Sequence, residues 1–432
     1  MTETLSIIVF LSALFILLGL GVWVGAALLA TAILGMALFT NAPIGDSMAV
    51  TIWGEQSSWT LTALPLFIWM GEILFRTRLS ETLFRGLAPF LKGLPGGLLH
   101  VNIGASAVFA AISGSSAATV ATVGKMSIPE LRARNYPEGM IIGTLSGAGT
   151  LGLLIPPSIS MIIYGVTVNE SITKLFMAAM IPGLCLAVFF MVYVAGWSIV
   201  NRATFKPDLT IEASKLWRRL ADLLPVLCLI GAVIGSIYSG VATATEAAAL
   251  GVLGAFILSA FQGGLTWSNV QDSIMGSVRT TAMIMLILMG AGFLSLAMGF
   301  TGIPKALATG IAAWDPSPVM LILILTVFYI ILGCFLDGLS SIVLTMAVIE
   351  PMVRAAGFDM LWFGVYLMIV VEMAQITPPI GFNLFVLQGM TGKDMGFIAK
   401  ASFPMFIVMC IFIVVLVIFP GLALWLPDVL SK

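Results

Sequence analysis

Apolar residues gather along this chain in long blocks separated by short polar stretches. A helix that crosses ~30 Å of hydrocarbon needs about 20 mostly apolar residues. On that ruler ten blocks read as spans, near 5–20, 22–40, 60–76, 139–165, 175–200, 223–240, 245–262, 274–297, 361–387 and 402–426. Two further apolar regions, 97–127 and 319–349, each hold two half-length runs around a small polar cluster. The first cluster is Ser113, Gly114, Ser115 and Ser116; the second is Asp337, Gly338, Leu339, Ser340 and Ser341. A helix that enters the bilayer, breaks and returns has this pattern, and lipid permits the break only where protein or a wet cavity covers it. One long span with a Gly/Ser kink is the competing reading.

A repeat favours the re-entrant hairpins. At an offset of 222 residues, Pro156-Pro157 recurs as Pro378-Pro379, Pro129 as Pro351 and Pro182 as Pro404. The stretch LLIPPSISMIIYGV (153–166) aligns without a gap on QITPPIGFNLFVLQ (375–388). The chain therefore divides into a first repeat (1–200), a linker (201–222) and a second repeat (223–432), with five spans and one hairpin in each. An odd number of spans inverts the second copy in the membrane, as in many secondary transporters.

Charge orients this arrangement. Residues 76–134 carry seven Lys/Arg (Arg76, Arg78, Arg85, Lys92, Lys125, Arg132 and Arg134), whereas 298–356 carry Lys305 and Arg354. By the positive-inside rule the first hairpin enters from the cytoplasm and the second from the opposite side. The linker, with Arg202, Lys206, Lys215, Arg218 and Arg219, is then cytoplasmic and both termini are periplasmic. Trp53, Trp59, Trp197, Trp217, Trp267, Trp314, Trp362 and Trp425 fall near predicted span ends, where an aromatic belt is expected. Residues 79–94 set Leu79, Leu83, Leu87 and Leu91 at helical spacing, with Arg85 and Lys92 on other faces. This reads as an amphipathic helix on the membrane surface, either an arm to a moving hairpin or a plain connector.

Composition agrees with a lipid environment. Of 432 residues, 60% are apolar and 9% charged, with a mean hydropathy of +1.13; soluble domains carry about 25% charged residues. The net charge of −1 offers no basic surface for a nucleic-acid partner. Cys185, Cys228, Cys334 and Cys410 stand singly in apolar stretches and read as packing residues. No Lys or Arg precedes Arg76, so the first apolar block reads as a span and not as a cleaved signal.

The chain is poor in catalytic groups. His100 is its one histidine, at the mouth of the first hairpin, and reads as an interfacial packing residue. Gly124-Lys125 and Gly392-Lys393 are followed by Met126 and Asp394 and form no Walker A loop. Asp337 has no evident carboxylate partner for an acid dyad. No enzyme is expected.

Ion and anion binding is better supplied. Broken membrane helices free carbonyl oxygens for a hard cation and N–H groups for a carboxylate. Ser113, Ser115 and Ser116 add hydroxyls at the first tip, and Asp337 adds a carboxylate at the second. A second broken element accompanies each tip: Leu151-Gly152-Leu153-Leu154-Ile155-Pro156-Pro157-Ser158, and Gln375-Ile376-Thr377-Pro378-Pro379. Paired prolines remove two amide donors and the helical bonds before them, leaving carbonyls near 152–156 and 375–378 for an ion. With at most one carboxylate per site, Na⁺ suits better than a divalent ion. Protons stay open, because Glu72, Glu246, Asp337 and Glu372 lie in or near apolar stretches. Glu246 after Thr243 or Thr245 resembles a helix start. Gly139, Gly143 and Gly147 recur on one helix face and point to close packing.

These residues resemble the large membrane subunit of the tripartite ATP-independent periplasmic (TRAP) transporters. The likeness runs through LPLFIWMGEIL (64–74), LPGGLLHVNIGASAVFAAISGSSAATVATVG (94–124), IPPSISMIIYGV (155–166), GVATATEAAAL (240–250), GCFLDGLSSIVLTM (333–346) and TPPIGFNLFV (377–386). It implies an all-α polytopic fold of the inner membrane, related to the ion transporter superfamily, that works as an elevator. It further implies Na⁺-coupled import of an organic acid (a C4-dicarboxylate, sugar acid or sialic acid) from a periplasmic binding protein, beside a smaller four-span subunit. Carried over motif by motif, the ion sites fall on Ser115, Ser116, Gly152, Pro156, Asp337, Gly338, Thr377 and Pro378. A substrate pocket falls near Ser115, Ser158, Thr377 and Asn383. The family's TPTEAA reads TATEAA here, with Ala244 for proline, which should alter a turn and not the chemistry. A self-sufficient ion-coupled anion carrier of a related inverted-repeat fold is the alternative.

Overall fold

The computed structural model describes residues 2–77, 79–202, 216–262, 264–303, 317–334, 336–379 and 381–430. Most of the linker expected at 201–222 lies outside the described residues, as do Arg78, Lys305 and Trp314. Every regular element among the described residues is helical.

The first half opens with α1 (Thr2–Gly19), α2 (Val24–Phe39), α3 (Ile44–Gln56), a 3₁₀ turn (Trp59–Thr62) running into α4 (Ala63–Phe75), and α5 (Leu79–Leu91). It continues with α6 (Leu99–Ser113), α7 (Ser116–Ala133), α8 (Glu138–Gly149), α9 (Leu151–Leu154), α10 (Ile159–Thr167) and α11 (Ile172–Val200). The second half holds α12 (Leu216–Tyr238), α13 (Ala244–Phe261), α14 (Trp267–Thr301), α15 (Pro318–Gly333), α16 (Gly338–Ala355), α17 (Met360–Gln375), α18 (Phe382–Thr391), α19 (Met395–Ile418) and α20 (Gly421–Leu430). Five of these, α11, α13, α14, α16 and α19, are long and apolar enough to cross a membrane; the bent pair Glu138–Leu154 and Ile159–Thr167, at 42°, also qualifies as one broken span.

The helices pack in two groups. In one, α2, α3 and α4 lie against α14, and α4 also against α13. The contact of α2 with α14 is nearly backbone on backbone: a Cβ on Gly25 would sit 2.6 Å from the Leu286 carbonyl oxygen, and one on Gly290 2.5 Å from that of Gly25. In the other group, α6 to α11 enclose α17, α19 and α20. The middle of this group is largely apolar, with Tyr164, Phe176, Phe190, Phe363 and Tyr366 buried. The groups meet where α4 touches α6 and α10, and where α14 touches α16.

Several sequence expectations are met in detail. α13 starts in a capping box, with the Thr243 hydroxyl accepting from the Glu246 amide and the Glu246 carboxylate accepting from the Thr243 amide at 2.8 Å. Glu246 is thus a helix-start residue. Ala244 takes the first helical position. Gly143 and Gly147 serve close packing, since Cβ atoms there would fall 2.4 Å from the Ala401 carbonyl oxygen and 2.7 Å from Met405. Gly139 faces open space and does not share that role. In α5, Leu83 is buried and the helix lies against α6, α7 and α12.

Other expectations are corrected. Trp53, Trp59, Trp267 and Trp425 are exposed as a belt requires, but Trp362 is buried. Its ring stacks between Phe358 and Tyr366, and its indole N–H donates to the Leu416 carbonyl at 3.2 Å. His100 is buried as a packing residue, with Nε2 2.7 Å from the Pro95 carbonyl oxygen. The block at 402–426 is interrupted: α19 stops at Ile418, since Pro420 cannot continue its hydrogen bonds, and α20 starts anew. α3 was not anticipated, because Gly45, Asp46, Gly54 and Glu55 dilute its hydropathy.

Candidate functional site

The first polar cluster breaks the helix as its residues dictate. α6 ends on Gly114 in the left-handed region (φ 57°), a conformation that costs glycine little. Ser115 then turns extended and caps α7 through its hydroxyl, which accepts from the Ala118 amide at 3.4 Å. The Thr119 hydroxyl donates to the Ser115 carbonyl (2.8 Å) and lies 3.0 Å from that of Ser113, which ties the tip together. α6 and α7 pack against each other along their length.

The second cluster repeats the design with a charged cap. Asp337 is extended, and its Oδ2 accepts from the amides of Leu339 (3.2 Å) and Ser340 (3.4 Å) to start α16. Within this arm the Tyr329 and Thr345 hydroxyls meet at 2.6 Å, joining α15 to α16.

Both proline breaks lie against these tips. A Cβ on Gly152 would be 2.7 Å from the Ser115 carbonyl oxygen and the Ser116 nitrogen, so α9 rests directly on the first tip. Gly114 likewise abuts the Pro157 carbonyl oxygen and the Ile159 nitrogen. The next residue of α9, Leu153, reaches the second tip: a Cβ on Gly338 would meet its side chain at 3.2 Å and that of Val371 at 3.0 Å. Four residues of helix thus separate the two tips. At the second break, a Cβ on Gly381 would meet the carbonyl oxygens of Thr377 (2.8 Å) and Gln375 (2.9 Å). Those two oxygens converge on one small space that glycine alone leaves open. The Pro378 carbonyl lies 3.4 Å from the Cys334 sulfur, beside the same tip. Both proline pairs carry a cis peptide bond.

The structure thus brings Ser115, Ser116 and Gly152 together, sets Pro156 next in chain to Pro157 at that tip, and places Gly338 beside Leu153 of α9. Thr377 and Pro378 approach Cys334. The substrate candidates fare differently. Ser158 is fully buried, and its hydroxyl donates to the Leu153 carbonyl at 2.6 Å, which removes one of the freed oxygens. The Thr377 hydroxyl donates to the Met373 carbonyl at 2.7 Å, leaving its own carbonyl as the available donor. Asn383 is fully buried, and neither amide atom has a hydrogen-bond partner among the described residues.

Three functional candidates were missed by sequence reasoning. Gly381 follows the proline pair closely, and that spacing was its signal. Arg279 lies within the apolar run of α14 and lines a cavity of about 840 Å³ that reaches Asp337 and Ser340. A charge in such a run was the signal. A second cavity, of about 710 Å³ and bordered by both α14 and α16, is lined by Thr51, Asn169, Ser295 and Glu350. Hydroxyls, one asparagine and one carboxylate scattered over four sequence regions gave no signal. Among the described residues no group of three His, Cys, Asp or Glu side chains is placed to hold a metal.

Residues 11–422, from α1 to α20, match the family described as the DctM component of the tripartite ATP-independent periplasmic transporters. The chain belongs to that family. Among similar TRAP proteins is the C4-dicarboxylate large permease protein DctM of Pseudomonas aeruginosa, 31% identical over 88% of this chain and 89% of the relative. The sialic acid large permease protein SiaM of Vibrio cholerae is 29% identical over 95% of this chain and 96% of its own. In fold, this chain resembles the Alcanivorax borkumensis YdaH transporter, whose topology is described as unusual. That likeness has a TM-score of 0.66 at 12% identity and covers 93% and 96% of the two chains. It concerns the fold alone.

Proposed function

We propose that this TRAP permease imports an organic acid across the bacterial inner membrane, driven by Na⁺ and supplied by a periplasmic binding protein. The observation that carries the reading is the meeting of both helix tips at α9, with carbonyl oxygens gathered at the second break. Substrate classes borne by relatives' names, C4-dicarboxylate and sialic acid, share a carboxylate. The N-terminal turns of α7 and α16 and the Arg279 guanidinium suit that group.

In this reading the chain is an inverted repeat, 1–200 against 223–432, joined by a cytoplasmic linker and with both termini periplasmic. The two packing groups correspond to a scaffold (α2–α4, α13, α14) and a moving body (α6–α11, α15–α20). Sliding of α16 along α14 exposes the tips first to one cavity and then to the other, as an elevator. The small four-span subunit braces the scaffold. Carbonyls near Gly152, Pro156, Thr377 and Pro378 hold Na⁺ with Ser115, Ser116, Asp337 and Gly338. Substrate then lies near Ser115 and Thr377, with Ser158 and Asn383 behind them.

Uptake into proteoliposomes tests this directly. The chain and its small subunit are reconstituted, a matched binding protein is added outside, and an inward Na⁺ gradient is imposed or withheld. Uptake that requires both Na⁺ and the binding protein is expected. Uptake without the binding protein would favour the self-sufficient carrier, and uptake that follows pH and ignores Na⁺ would sink the sodium assignment.

A further inference from the structure

The repeat exposes an imbalance between the tips. Asp337 carries the carboxylate of the second tip, and the residue 222 positions earlier is Ser115. The first tip therefore has no acidic residue of its own, although its hydroxyls and its contact with Gly152 otherwise match a cation site.

The structure places a carboxylate there from the other half. Glu372, on the last turns of α17, is 1% exposed. The Ser116 hydroxyl of the first tip is its polar neighbour. The two do not reach hydrogen-bond geometry, and both Glu372 oxygens are without a partner among the described residues. The described ion pairs that hold other carboxylates, those of Glu72, Glu130, Glu138, Glu170 and Glu350, do not include it. One turn on, Gln375 is also buried, with its Nε2 unpartnered and 4.0 Å from where a Cβ on Gly338 would lie. A buried carboxyl with no protein counter-charge takes up either a proton or a cation from solution.

We propose that Glu372 is the anionic ligand of a monovalent-cation site at the first tip, delivered across the repeat by the second half. Its carboxylate and the Ser116 hydroxyl are hard oxygen donors of the kind Na⁺ prefers. Each tip then has one carboxylate: Asp337 serves the second locally, and Glu372 serves the first from α17. The repeat mate of Glu372 is Thr150, whose hydroxyl donates to the Gly147 carbonyl at 2.6 Å, so no second exchange runs the other way. Filling the first site would fasten α17 to the α6–α7 tip, making ion binding depend on contact between the halves. This rests on the sodium-coupled reading above.

The test combines two readouts on the full-length chain with its small subunit. Thermal unfolding in detergent is titrated with NaCl against choline chloride at constant ionic strength. Uptake is then measured in proteoliposomes over the same Na⁺ range. The wild-type chain should be stabilised by Na⁺. E372Q should unfold close to wild type in choline, where a proton neutralises the buried carboxyl, should lose most of the added stability that Na⁺ gives wild type, and should need about tenfold more Na⁺, or worse, for half-maximal uptake. S116A should shift the Na⁺ requirement in the same direction by less, which keeps the test open should E372Q not fold. A normal wild-type Na⁺ response that E372Q and S116A both retain overturns the proposal alone. A wild-type chain that ignores Na⁺ in both assays overturns the sodium reading as well.

Discussion

The two helix tips are built on one plan with different materials. At the first, three serines surround a left-handed glycine, and a neutral hydroxyl caps α7. At the second, an aspartate caps α16 with two hydrogen bonds from one oxygen. Their surroundings differ as well. The first tip is pressed backbone to backbone against α9, whereas the second touches α9 and α17 through the side chains of Leu153 and Val371. Pro156 and Pro157 are buried, but Pro378 and Pro379 are exposed. The first tip is thus a rigid, enclosed junction. The second carries the charge and faces a cavity shared with Arg279.

The contrast is sharpest at the glycines. Gly152→Ala adds a carbon 2.7 Å from fixed backbone atoms of Ser115 and Ser116. Overpacking of this kind costs about 1–3 kcal/mol, and here it falls on the proposed ion site. Transport should drop more than about tenfold, with insertion and expression retained. Gly338→Ala meets side-chain atoms at 3.0 and 3.2 Å, which can move aside. A fall of about threefold or less in uptake is expected, within the small cost of a tolerated contact. Equal effects would erase the distinction between a rigid and a yielding tip.

Asp337 separates capping from charge. Asp337→Asn keeps a capping side chain and removes the charge, while Asp337→Ala removes both, at about 1 kcal/mol of helix stability. A Na⁺ role predicts that both variants lose Na⁺ response alike and that the alanine alone lowers thermal stability. If asparagine restores transport, the carboxylate is a cap and no more. Ser115→Ala should cost about 0.5–1 kcal/mol, seen as a lower melting temperature with a milder loss of uptake than Asp337→Ala.

The smallest effect lies at the foot of the first hairpin. Arg132 pairs with Glu138 at the start of α8, and this hydrogen-bonded pair holds the Glu138 carboxyl below its ordinary value of 4.5. A depressed carboxyl contributes stability above its unfolded value and loses it as pH falls through the lower folded value. For a partly exposed pair that contribution is between about 0 and 1 kcal/mol. Glu138→Gln should therefore match wild type at pH values well below 4.5 and trail it slightly at neutral pH, in thermal melts at low salt. A deficit that persists at acid pH would assign Glu138 a packing role instead.

Much of this was legible because glycine and proline act locally. The breaks at Gly114–Ser115, Pro156–Pro157 and Pro378–Pro379 lie where those residues forbid a continuous helix, and the Thr243–Glu246 start was readable from its spacing. What the chain did not disclose depends on distant neighbours. Nothing near Ser158 shows that its hydroxyl will be taken by Leu153. Trp362 resembles a belt residue until Phe358 and Tyr366 stack around it. Glu372 sits far from the first tip in sequence, and its nearness to Ser116 exists only once α17 packs into the first half. Local punctuation is written in the sequence, while the pairing of oxygens across the core is a property of the packed chain.

In the proposed cycle two unequal tips each bind one Na⁺. Parallel uptake of ²²Na⁺ and labelled substrate into the same proteoliposomes measures this most directly. Two or more Na⁺ per substrate molecule are expected, falling by one in Asp337→Asn if transport survives. A ratio of one in the wild-type chain would contradict that cycle.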